Sequence, residues 1–536
     1  MFTSSLFTLL PLLASIQSTF ALDDTSARSA SVYQIVTDRF ARPSSVSSTC
    51  NTSDRKYCGG TYASITEKLD YIAGMGFDTI WISPIVENIG GTTGEGEAYH
   101  GYWTLDPDGF NSNFGSADDL KSLSSALHAK GMHLMIDVVI NHVAATSSST
   151  FQPDSAYGPF SDSSDYHPFC WISDYSNQTN VEDCWLGDDS VALPDLNTES
   201  STVSDYWNNW VKTLVSNYTL DAVRIDTVKH VPKTFWPNFV SSAGVFTQGE
   251  VLNGDATYVG PYQNDAKVNP FNYPAYYPLL RGFNQTSGDL SELVAMTQTI
   301  QSNFNDPTLL GSFLNNHDNP RFESTVTDTS LIKNAHAYPF VSDGIPYGYY
   351  GSEAGFTGGA DPANREPLWT SNYDTSSEMY KFFASLNAAR KAAGNASDTF
   401  YSTQMNITSP SSSSILIAKQ PLISILSNSG SSASDSSVTV QSSASGWTAN
   451  TQVIDAISCE TLTTDSSGNL AVTIKTGLPR VLIADSKKGS VCSSSSSSNS
   501  SSGTSSGKSA AIKLDVQAGW MISALGAVVG GLMMAL

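Results

Sequence analysis

Short apolar segments rich in β-branched residues recur along the chain, and helix-like segments separate several of them. The apolar segments span residues 31–40, 77–85, 133–142, 220–230, 244–252, 309–318 and 343–351. One separating segment, "SADDLKSLSSALHAKGM", begins with Ser116 as a candidate N-cap and repeats leucine at helical spacing. Alternating strands and helices over this length predict a parallel sheet. Their number favours the α/β class and a closed (β/α)8 fold, the TIM barrel.

The expected sixth strand is the weakest element of this pattern. It falls near "AKVNPFNYP", residues 266–274, where Pro270 lacks the N–H that a strand interior donates. The barrel prediction therefore depends mainly on the other seven segments.

Several of the apolar segments end in charged or imidazole side chains. These residues are Asp137, Asn141, His142, Arg224, Asp226, His230, Glu250, His317 and Asp318. In a (β/α)8 barrel the C-terminal ends of the strands carry the chemistry. Polar ends on at least four strands therefore predict an active site, although a structural salt bridge would explain the "DAVRIDTVKH" segment on its own.

Three carboxyl groups stand out among these strand ends. Arg224 and Asp226 are two residues apart, so on a strand both side chains point to the same face. We expect the guanidinium to lower the pKa of Asp226, and we expect neighbouring acids and aromatic walls to raise the pKa of Glu250. Two carboxyl groups with separated pKa values form the nucleophile and acid/base pair of retaining glycoside hydrolysis.

Two further regions depart from the strand and helix alternation. Residues 143–197, which follow the third strand, are polar and aromatic and predict a subdomain inserted into a catalytic domain of residues 22–400. Residues 401–492 contain strand-like segments separated by Ser/Gly turns, so they predict a C-terminal all-β sandwich domain.

Both termini resemble targeting signals. Residues 1–21 contain an apolar run followed by small residues and predict a secretory signal peptide. Residues 493–506 form a Ser-rich linker. Residues 507–536 end in an apolar tail without a basic segment after it, which predicts attachment of a GPI lipid anchor. A simple tail-anchor helix is the alternative. If the GPI prediction holds, the lipid is the only membrane contact of a secreted, extracellular protein.

Composition and cysteine content restrict the possible partners and the compartment. The formal net charge of -23 and the pI of about 4.5 argue against nucleic acid as a partner, and a 10% aromatic content suits a neutral sugar ligand. Six cysteines in a secreted chain predict three disulfides, for which the sequence alone permits fifteen connectivities. We favour the pairs Cys50–Cys58, Cys170–Cys184 and Cys459–Cys492.

Four motifs occur in a fixed order: "DVVINH", "RIDTVKH", "GEVL" and "NHDNPRF". With "LPDL" at residues 193–196, they resemble the signature regions of the α-amylase family of glycoside hydrolases. The flanking segments "YQIVTDRFAR", "CNTSDRKYCGG", "AYHGYW", "HPFC", "VEDCWLGD" and "DPANRE" extend the resemblance to the secreted fungal enzymes, some of which are GPI-anchored. It covers roughly residues 30 to 492.

The resemblance implies roles for individual residues. It implies that Asp226 is the nucleophile, that Glu250 is the general acid/base and that Asp318 stabilises the transition state. The substrate-binding residues that it implies are His100, Tyr102, Trp103, His142, Arg224, Lys229, Gly254, His317, Asp361 and Arg365. It also implies a structural Ca²⁺ ion held by the side chains of Asn141 and Asp195 and by the backbone carbonyls of Glu182 and His230. Ligation by oxygen atoms alone suits this hard cation.

The chain departs from the fungal enzymes near the substrate subsites. Asn315 stands where those enzymes usually have Glu, Arg55 replaces a Gln, and Asn253 replaces an Asp. The expected function is that of a monomeric α-amylase, which hydrolyses internal α-1,4 bonds of starch-type glucans. A 4-α-glucanotransferase that remodels cell-wall α-glucan is the alternative, and a non-catalytic glucan-binding wall protein is the third hypothesis.

Overall fold

The computed structural model describes residues 21–493, and its central element is a barrel of eight parallel strands. The strands are β1 (Val32–Gln34), β2 (Thr79–Ile82), β3 (His133–Val138), β4 (Ala222–Ile225), β5 (Phe246–Gly249), β6 (Asn269–Pro270), β7 (Gly311–Phe313) and β8 (Ile345–Tyr349). Their order in the sheet is β6-β5-β4-β3-β2-β1-β8-β7. A parallel bridge between Phe271 and Gly311 joins β6 to β7. The predicted fold class is confirmed.

Proline shortens the sixth strand but does not remove it. β6 has only two residues, which pair with β5 as Asn269 with Gln248 and Pro270 with Gly249. The next donor along the chain, the Phe271 N–H, bonds to the Gly249 carbonyl at 2.9 Å. Because Pro270 has no N–H to donate, the ladder resumes only at Phe271.

Helices follow the strands and cover the outside of the barrel. The longer ones span Ala117–Ala129, Ser201–Tyr218, Trp236–Ala243, Ala256–Asn264, Tyr273–Phe283, Leu290–Asn303, Thr329–Val341 and Glu378–Ala396, and the shorter pair after β1 spans Tyr62–Thr66 and Leu69–Gly74. The Ala117–Ala129 helix begins at Ser116 with a capping box to Asp119. Its Leu120, Leu123 and Leu127 are buried, which confirms the face expected from their spacing.

Strand periodicity decides which side chains enter the barrel. In β3, Leu134 and Ile136 belong to the core cluster that includes the surrounding helices, whereas Met135 belongs to the cluster inside the barrel. In β4, Val223 and Ile225 belong to the same outer cluster as the helices. Since alternate side chains point to opposite faces, the charged residues between these apolar ones point into the barrel.

The segment between β3 and the Ser201–Tyr218 helix forms the expected inserted subdomain. It contains the helix Gln178–Asp183 and a two-stranded antiparallel sheet of Leu186–Gly187 and Ala192–Leu193. A disulfide joins Cys170 to Cys184. An antiparallel bridge between His142 and Asp195 holds the end of the subdomain against the end of β3.

The C-terminal part is all-β, as predicted. Its strands are β9 (Asn406–Ser411), β10 (Ser414–Lys419), β11 (Leu422–Ser427), β12 (Ser436–Val440), β13 (Gln452–Asp455), β14 (Thr461–Thr463), β15 (Leu470–Ile474) and β16 (Arg480–Ala484). Six of them form an antiparallel sheet in the order β9-β10-β11-β16-β13-β14, and β12 pairs with β15. Apolar side chains of both sheets, among them Ile423, Ile425, Val440 and Val472, form one core between the two layers.

The remaining predictions on disulfides and termini have mixed outcomes. Cys50 and Cys58 form a disulfide as expected. Neither Cys459 nor Cys492 is a free thiol, and their pairing with each other stays a prediction. The signal peptide, the Ser-rich linker and the GPI-attachment segment lie outside the described residues, apart from one residue at each edge. Within residues 21–493 no helix combines the length and the apolarity needed to cross a bilayer.

Candidate active site

One guanidinium group connects the carboxylates at the ends of three neighbouring strands. Arg224 Nη1 lies 2.9 Å from Asp137 Oδ1 and 2.7 Å from Asp226 Oδ1, and its Nη2 lies 3.0 Å from Glu250 Oε2. All four side chains are buried, with exposed fractions of 11% or less. The ring of Trp81 lies 5.1 Å from the guanidinium carbon and closes the floor of the cluster. A single cation therefore compensates a cluster of buried negative charge.

The turn after Asp226 directs a backbone donor at Glu250. Thr227 has a φ of 48°, a left-handed conformation that is unusual for a β-branched residue. Its N–H donates to Glu250 Oε2 at 3.2 Å. Strained backbone held in place by its surroundings is typical of active sites.

The pKa values of the two central carboxyl groups differ from the sequence expectation in one respect. Burial raises the pKa of Asp226, and the opposing effect of Arg224 does not overcome it. The expectation that Arg224 holds this pKa below its ordinary value was therefore wrong, because desolvation of a buried carboxylate is the larger effect. A hydrogen bond between the two groups lowers the pKa of Asp226 and raises that of Glu250. Burial also raises the pKa of Glu250, and a raised pKa suits a general acid.

Asp318 lies at the opposite wall, between a histidine and an arginine. His317 Nε2 is 3.4 Å and Arg365 Nη2 is 3.7 Å from Asp318 Oδ1. Burial and the nearby Glu250 raise the pKa of Asp318 to about 7. Burial holds the pKa of His317 well below its ordinary value, so this ring is neutral. Gln34 Nε2 lies 2.5 Å from His317 Nδ1 and donates to it, which leaves the proton of the ring on Nε2, facing Asp318.

Aromatic side chains line the cleft between these two walls. The Tyr102 ring stacks on His317 with centroids 5.2 Å apart, and its hydroxyl donates to Asp137 Oδ2 at 2.6 Å. His100 stacks against Tyr102, and its Nδ1 accepts from the Tyr102 N–H. Trp103 packs against His100 and into an apolar cluster with residues of the inserted subdomain. Trp103 thus supports the wall of the cleft, while Tyr102 contacts the carboxylate cluster around Arg224 directly.

The remaining predicted substrate residues divide between the two sides of the cleft. Arg365 pairs with Asp361 at 3.0 Å, and Arg55, which replaces the usual glutamine, also reaches Asp361 at 3.3 Å. On the other side, Lys229 Nζ donates to the Leu252 carbonyl at 3.2 Å. Gly254 faces the Tyr277 ring so closely that a Cβ there would meet it at 2.8 Å.

His142 completes the set of predicted sugar contacts. It is buried, and burial lowers its pKa to about 4, so it is neutral. Its Nε2 has no hydrogen-bond partner within the described part of the chain. A buried polar atom without a partner is costly, and a ligand hydroxyl would satisfy this one.

The sequence analysis missed several residues that the fold brings to the cleft. Gln34, Trp81, Tyr273 and Asn316 line the cavity that contains Arg224, His317 and Asp318. Tyr175 of the inserted subdomain is 51% exposed, and its ring lies 5.0 Å from Lys229 Nζ. Trp81 and Gln34 lie at the ends of β2 and β1, so the rule that strand ends carry function would have found them. Tyr175 gave no such signal.

The altered residue Asn315 is embedded in a buried polar network. Its Nδ2 donates to Glu323 Oε2 at 2.8 Å, and its Oδ1 accepts from the Phe322 N–H at 2.8 Å. Glu323 Oε1 lies 2.5 Å from His336 Nε2, and all these side chains are buried. Glu323 therefore connects Asn315, three residues before Asp318, to His336 of the Thr329–Val341 helix.

We expect Glu323→Ala to lower the free energy of unfolding by about 3 kcal/mol, because it leaves His336 and the Asn315 amide buried without their acceptor. Glu323→Gln, which keeps an acceptor oxygen, should cost clearly less. Urea denaturation of both variants measures the difference. Equal unfolding free energies for the Ala and Gln variants would contradict the importance of this acceptor.

The four predicted calcium ligands belong to segments that converge between the barrel and the inserted subdomain. Asn141 and Asp195 are both 1% exposed, and one oxygen of each, Oδ1, has no hydrogen-bond partner. The Leu196 N–H donates to the Asn141 carbonyl, and His230 Nδ1 contacts the Val181 carbonyl next to Glu182. Burial raises the pKa of Asp195 to about 8. Two buried oxygens without partners, one of them on a carboxylate, fit a cation with oxygen ligands.

Comparisons with known proteins agree with this geometry. The sequence-family model of the α-amylase catalytic domain matches residues 34–398, and the family model of α-amylase domain C matches residues 399–500. α-Amylase 2 of Schwanniomyces occidentalis is 49% identical over 460 residues, which cover 85% of this chain and 90% of the relative. The α-amylase of Saccharomycopsis fibuligera is 46% identical over 467 residues, 87% of this chain and 93% of the relative.

The fold is also similar to a solved structure. An α-amylase from Malbranchea cinnamomea superimposes with a TM-score of 0.84 at 42% identity, covering 88% of this chain and 99% of that one. A catalytic-domain match over most of the chain, with relatives of this identity and coverage, shows that the chain belongs to the α-amylase family of glycoside hydrolases.

Proposed function

We propose that this chain is an α-amylase that cleaves internal α-1,4 bonds of starch-type glucans with retention of configuration. The observation that carries the proposal is the contact of one guanidinium, Arg224, with both Asp226 and Glu250. This arrangement holds the two carboxyl groups side by side in the hydrogen-bonded pair described above. Retaining enzymes need their two carboxyl groups close together, at about 5 Å, whereas inverting enzymes leave room for a water molecule between them.

The chemistry follows from the protonation of this pair. Protonated Glu250 donates its proton to the glycosidic oxygen of the leaving chain, while ionised Asp226 attacks the anomeric carbon. Positive charge develops on the sugar ring in the transition state, and the Asp318 carboxylate stabilises it. Glu250, now ionised, removes a proton from water, which attacks the glycosyl–Asp226 ester and releases the product.

Neutral side chains are suited to bind the sugar at the reacting position. We expect His317 and His142 to hydrogen-bond sugar hydroxyl groups, because both rings are neutral and buried in the cleft. The Tyr102 ring, which stacks on His317, offers a face for stacking. Arg365, with its partner Asp361, binds the part of the glucan on the Asp318 side. The leaving part of the glucan, or an acceptor sugar that takes its place, binds on the other side, to Lys229, Gly254 and the exposed Tyr175 ring.

A calcium ion held by Asn141, Asp195 and the carbonyls of Glu182 and His230 belongs to this proposal. The ion supplies positional rather than chemical help, because it joins the inserted subdomain to the strand end that carries Asp226. Asn141 and His230 follow β3 and β4, whereas Glu182 and Asp195 lie in the inserted subdomain.

We expect EGTA to lower the melting temperature by about 3 °C, since loss of a ligand present at 100 times its Kd removes about 3 kcal/mol. CaCl2 should restore the original value. Asp195→Asn should melt at the lower temperature with or without EGTA, whereas Asp189→Asn, an exposed acid of the same subdomain, should respond like the unaltered protein. An EGTA effect that persists in Asp195→Asn would contradict this ligand set.

Maltoheptaose separates hydrolysis from the alternative, 4-α-glucanotransfer. Both reactions form the glycosyl–Asp226 ester, and they differ in whether water or a sugar hydroxyl attacks it. Hydrolysis raises the number of reducing ends and yields only shorter chains. Constant reducing ends with both longer and shorter chains would replace the amylase proposal by the transferase. No change in chain length would favour a non-catalytic glucan-binding protein.

The proposed setting of this activity is extracellular. A signal peptide at residues 1–21, sequons such as Asn217-Tyr-Thr and the disulfides suit secretion. We propose that the mature protein is a monomer with a catalytic domain (22–400), a β-sandwich domain (401–492) and a GPI lipid on the linker. Release from yeast-type membranes by phosphatidylinositol-specific phospholipase C tests the anchor.

A further inference from the structure

Three metal-binding side chains meet beside the proposed calcium site, on residues that it does not use. His167, Asp183 and Glu199 each offer one ligand atom, and these atoms lie within 4.8 Å of one another. His167 lies in the inserted subdomain, Asp183 ends the helix Gln178–Asp183, and Glu199 precedes the helix Ser201–Tyr218. The cluster therefore joins the subdomain to a helix of the barrel.

The orientation of the imidazole is set by a buried carboxylate. His167 Nδ1 lies 2.7 Å from Asp195 Oδ2, and the Asp195 side chain is 1% exposed. His167 Nε2 lies 3.4 Å from Glu199 Oε2, at the more open side of the cluster. Metal-binding histidines commonly donate one ring N–H to a carboxylate in this way, which fixes the ring and directs the other nitrogen at the metal.

The donor atoms differ in kind from those of the proposed calcium site. Calcium takes oxygen ligands, whereas a neutral imidazole nitrogen with two carboxylates is a donor set that suits Zn²⁺ and related transition metals. Asp195 contributes a different oxygen atom to each of the two proposed metal sites. Its Oδ2 orients His167, and its Oδ1, which has no partner, belongs to the calcium ligands.

We propose that His167 Nε2 and the carboxylates of Asp183 and Glu199 bind one divalent transition-metal ion of the Zn²⁺ type, in addition to calcium. Glu199 is 45% exposed, so the site is open to solvent on one side and leaves room for a water ligand. In the absence of the metal, His167 pairs with Glu199.

Zinc titration of the full secreted protein, saturated with CaCl2, tests this proposal. Calorimetry should give one Zn²⁺ bound per chain. Elemental analysis of the zinc-loaded protein should show that it has kept its calcium. Co²⁺ used in place of Zn²⁺ should give visible absorption from nitrogen and oxygen ligation. Glu199→Gln and Asp183→Asn should each weaken Zn²⁺ binding at least about tenfold. Asp189→Asn, which removes the same charge from an exposed position of the subdomain, should not.

Three results would overturn the proposal. One is the absence of saturable Zn²⁺ binding, which would leave His167 as the centre of a plain ion-pair cluster. Another is unchanged Zn²⁺ affinity in both ligand variants, which would place the metal elsewhere. The last is loss of one calcium for each Zn²⁺ bound, which would mean that the two ions compete for one site. None of these readouts depends on the proposed hydrolase activity.

Discussion

Turnover of maltoheptaose by Asp226→Asn and by Glu250→Gln is expected to fall by a factor of about 10⁴ or more, with the fold unchanged. Loss of one member of a catalytic unit typically costs this much, because the remaining groups cannot complete the reaction alone. Both substitutions preserve the size and shape of the buried side chain, so each variant should remain folded. Steady-state kinetics and circular dichroism measure the two quantities.

A substrate with a better leaving group distinguishes the two roles. α-Maltosyl fluoride needs little protonation of its leaving group, so Glu250→Gln should process it far better than maltoheptaose. Asp226→Asn should be inactive on both, because the attacking atom is missing. Asp118→Asn, on an exposed helix face, serves as the control and should retain full activity. Comparable activity of Asp226→Asn and the unaltered enzyme would refute the assignment of the nucleophile.

Arg224→Lys is expected to lower kcat by a factor of about 10² to 10³ and the free energy of unfolding by about 3 kcal/mol. Arg224 contacts three carboxylates with two nitrogen atoms, and a single ammonium group cannot reproduce that geometry. The magnitude for kcat is that of removing one preorganised electrostatic contact, and the magnitude for stability is the lower end of breaking a buried ion pair. The exposed pair Arg281–Glu292 supplies the control Arg281→Lys, which should change neither.

The same variant has a predicted pH dependence. Arg224 lowers the pKa of both Asp226 and Glu250. Loss of its geometry lets the pKa of Asp226 rise, so the nucleophile becomes protonated at a higher pH than in the unaltered enzyme. The acidic limb of the kcat/KM profile should therefore move to higher pH. An acidic limb that stays in place would show that the guanidinium does not control the ionisation of Asp226.

Sequence-based predictions agree best with the structure where a feature depends on residues close together in the chain. A charged residue inside an apolar strand, such as Arg224, needs a partner of opposite charge. The two-residue period of a strand places Arg224 and Asp226 on the same inner face. The capped helix after Ser116 and the local disulfides Cys50–Cys58 and Cys170–Cys184 follow from short-range geometry in the same way. These features depend on neighbours within a few residues, which the order of the sequence already contains.

Sequence reasoning failed where the outcome depends on residues far apart in the chain. The pKa of Asp226 was expected to be low because Arg224 is adjacent, but burial by several strands outweighs that charge. Glu323 and His336 could not be connected with Asn315 in advance, since only packing of the Thr329–Val341 helix against the barrel brings them together.

The sequence by itself determined the fold class and the family, because periodicity and ordered motifs are properties of the chain. Only the tertiary structure decided that Tyr175 faces Lys229, and that one oxygen of Asp195 orients His167 while the other has no partner among residues 21–493. Electrostatic and hydrogen-bond energies depend on distances of a few ångströms and on exclusion of water. Those two quantities exist only once distant segments have packed together.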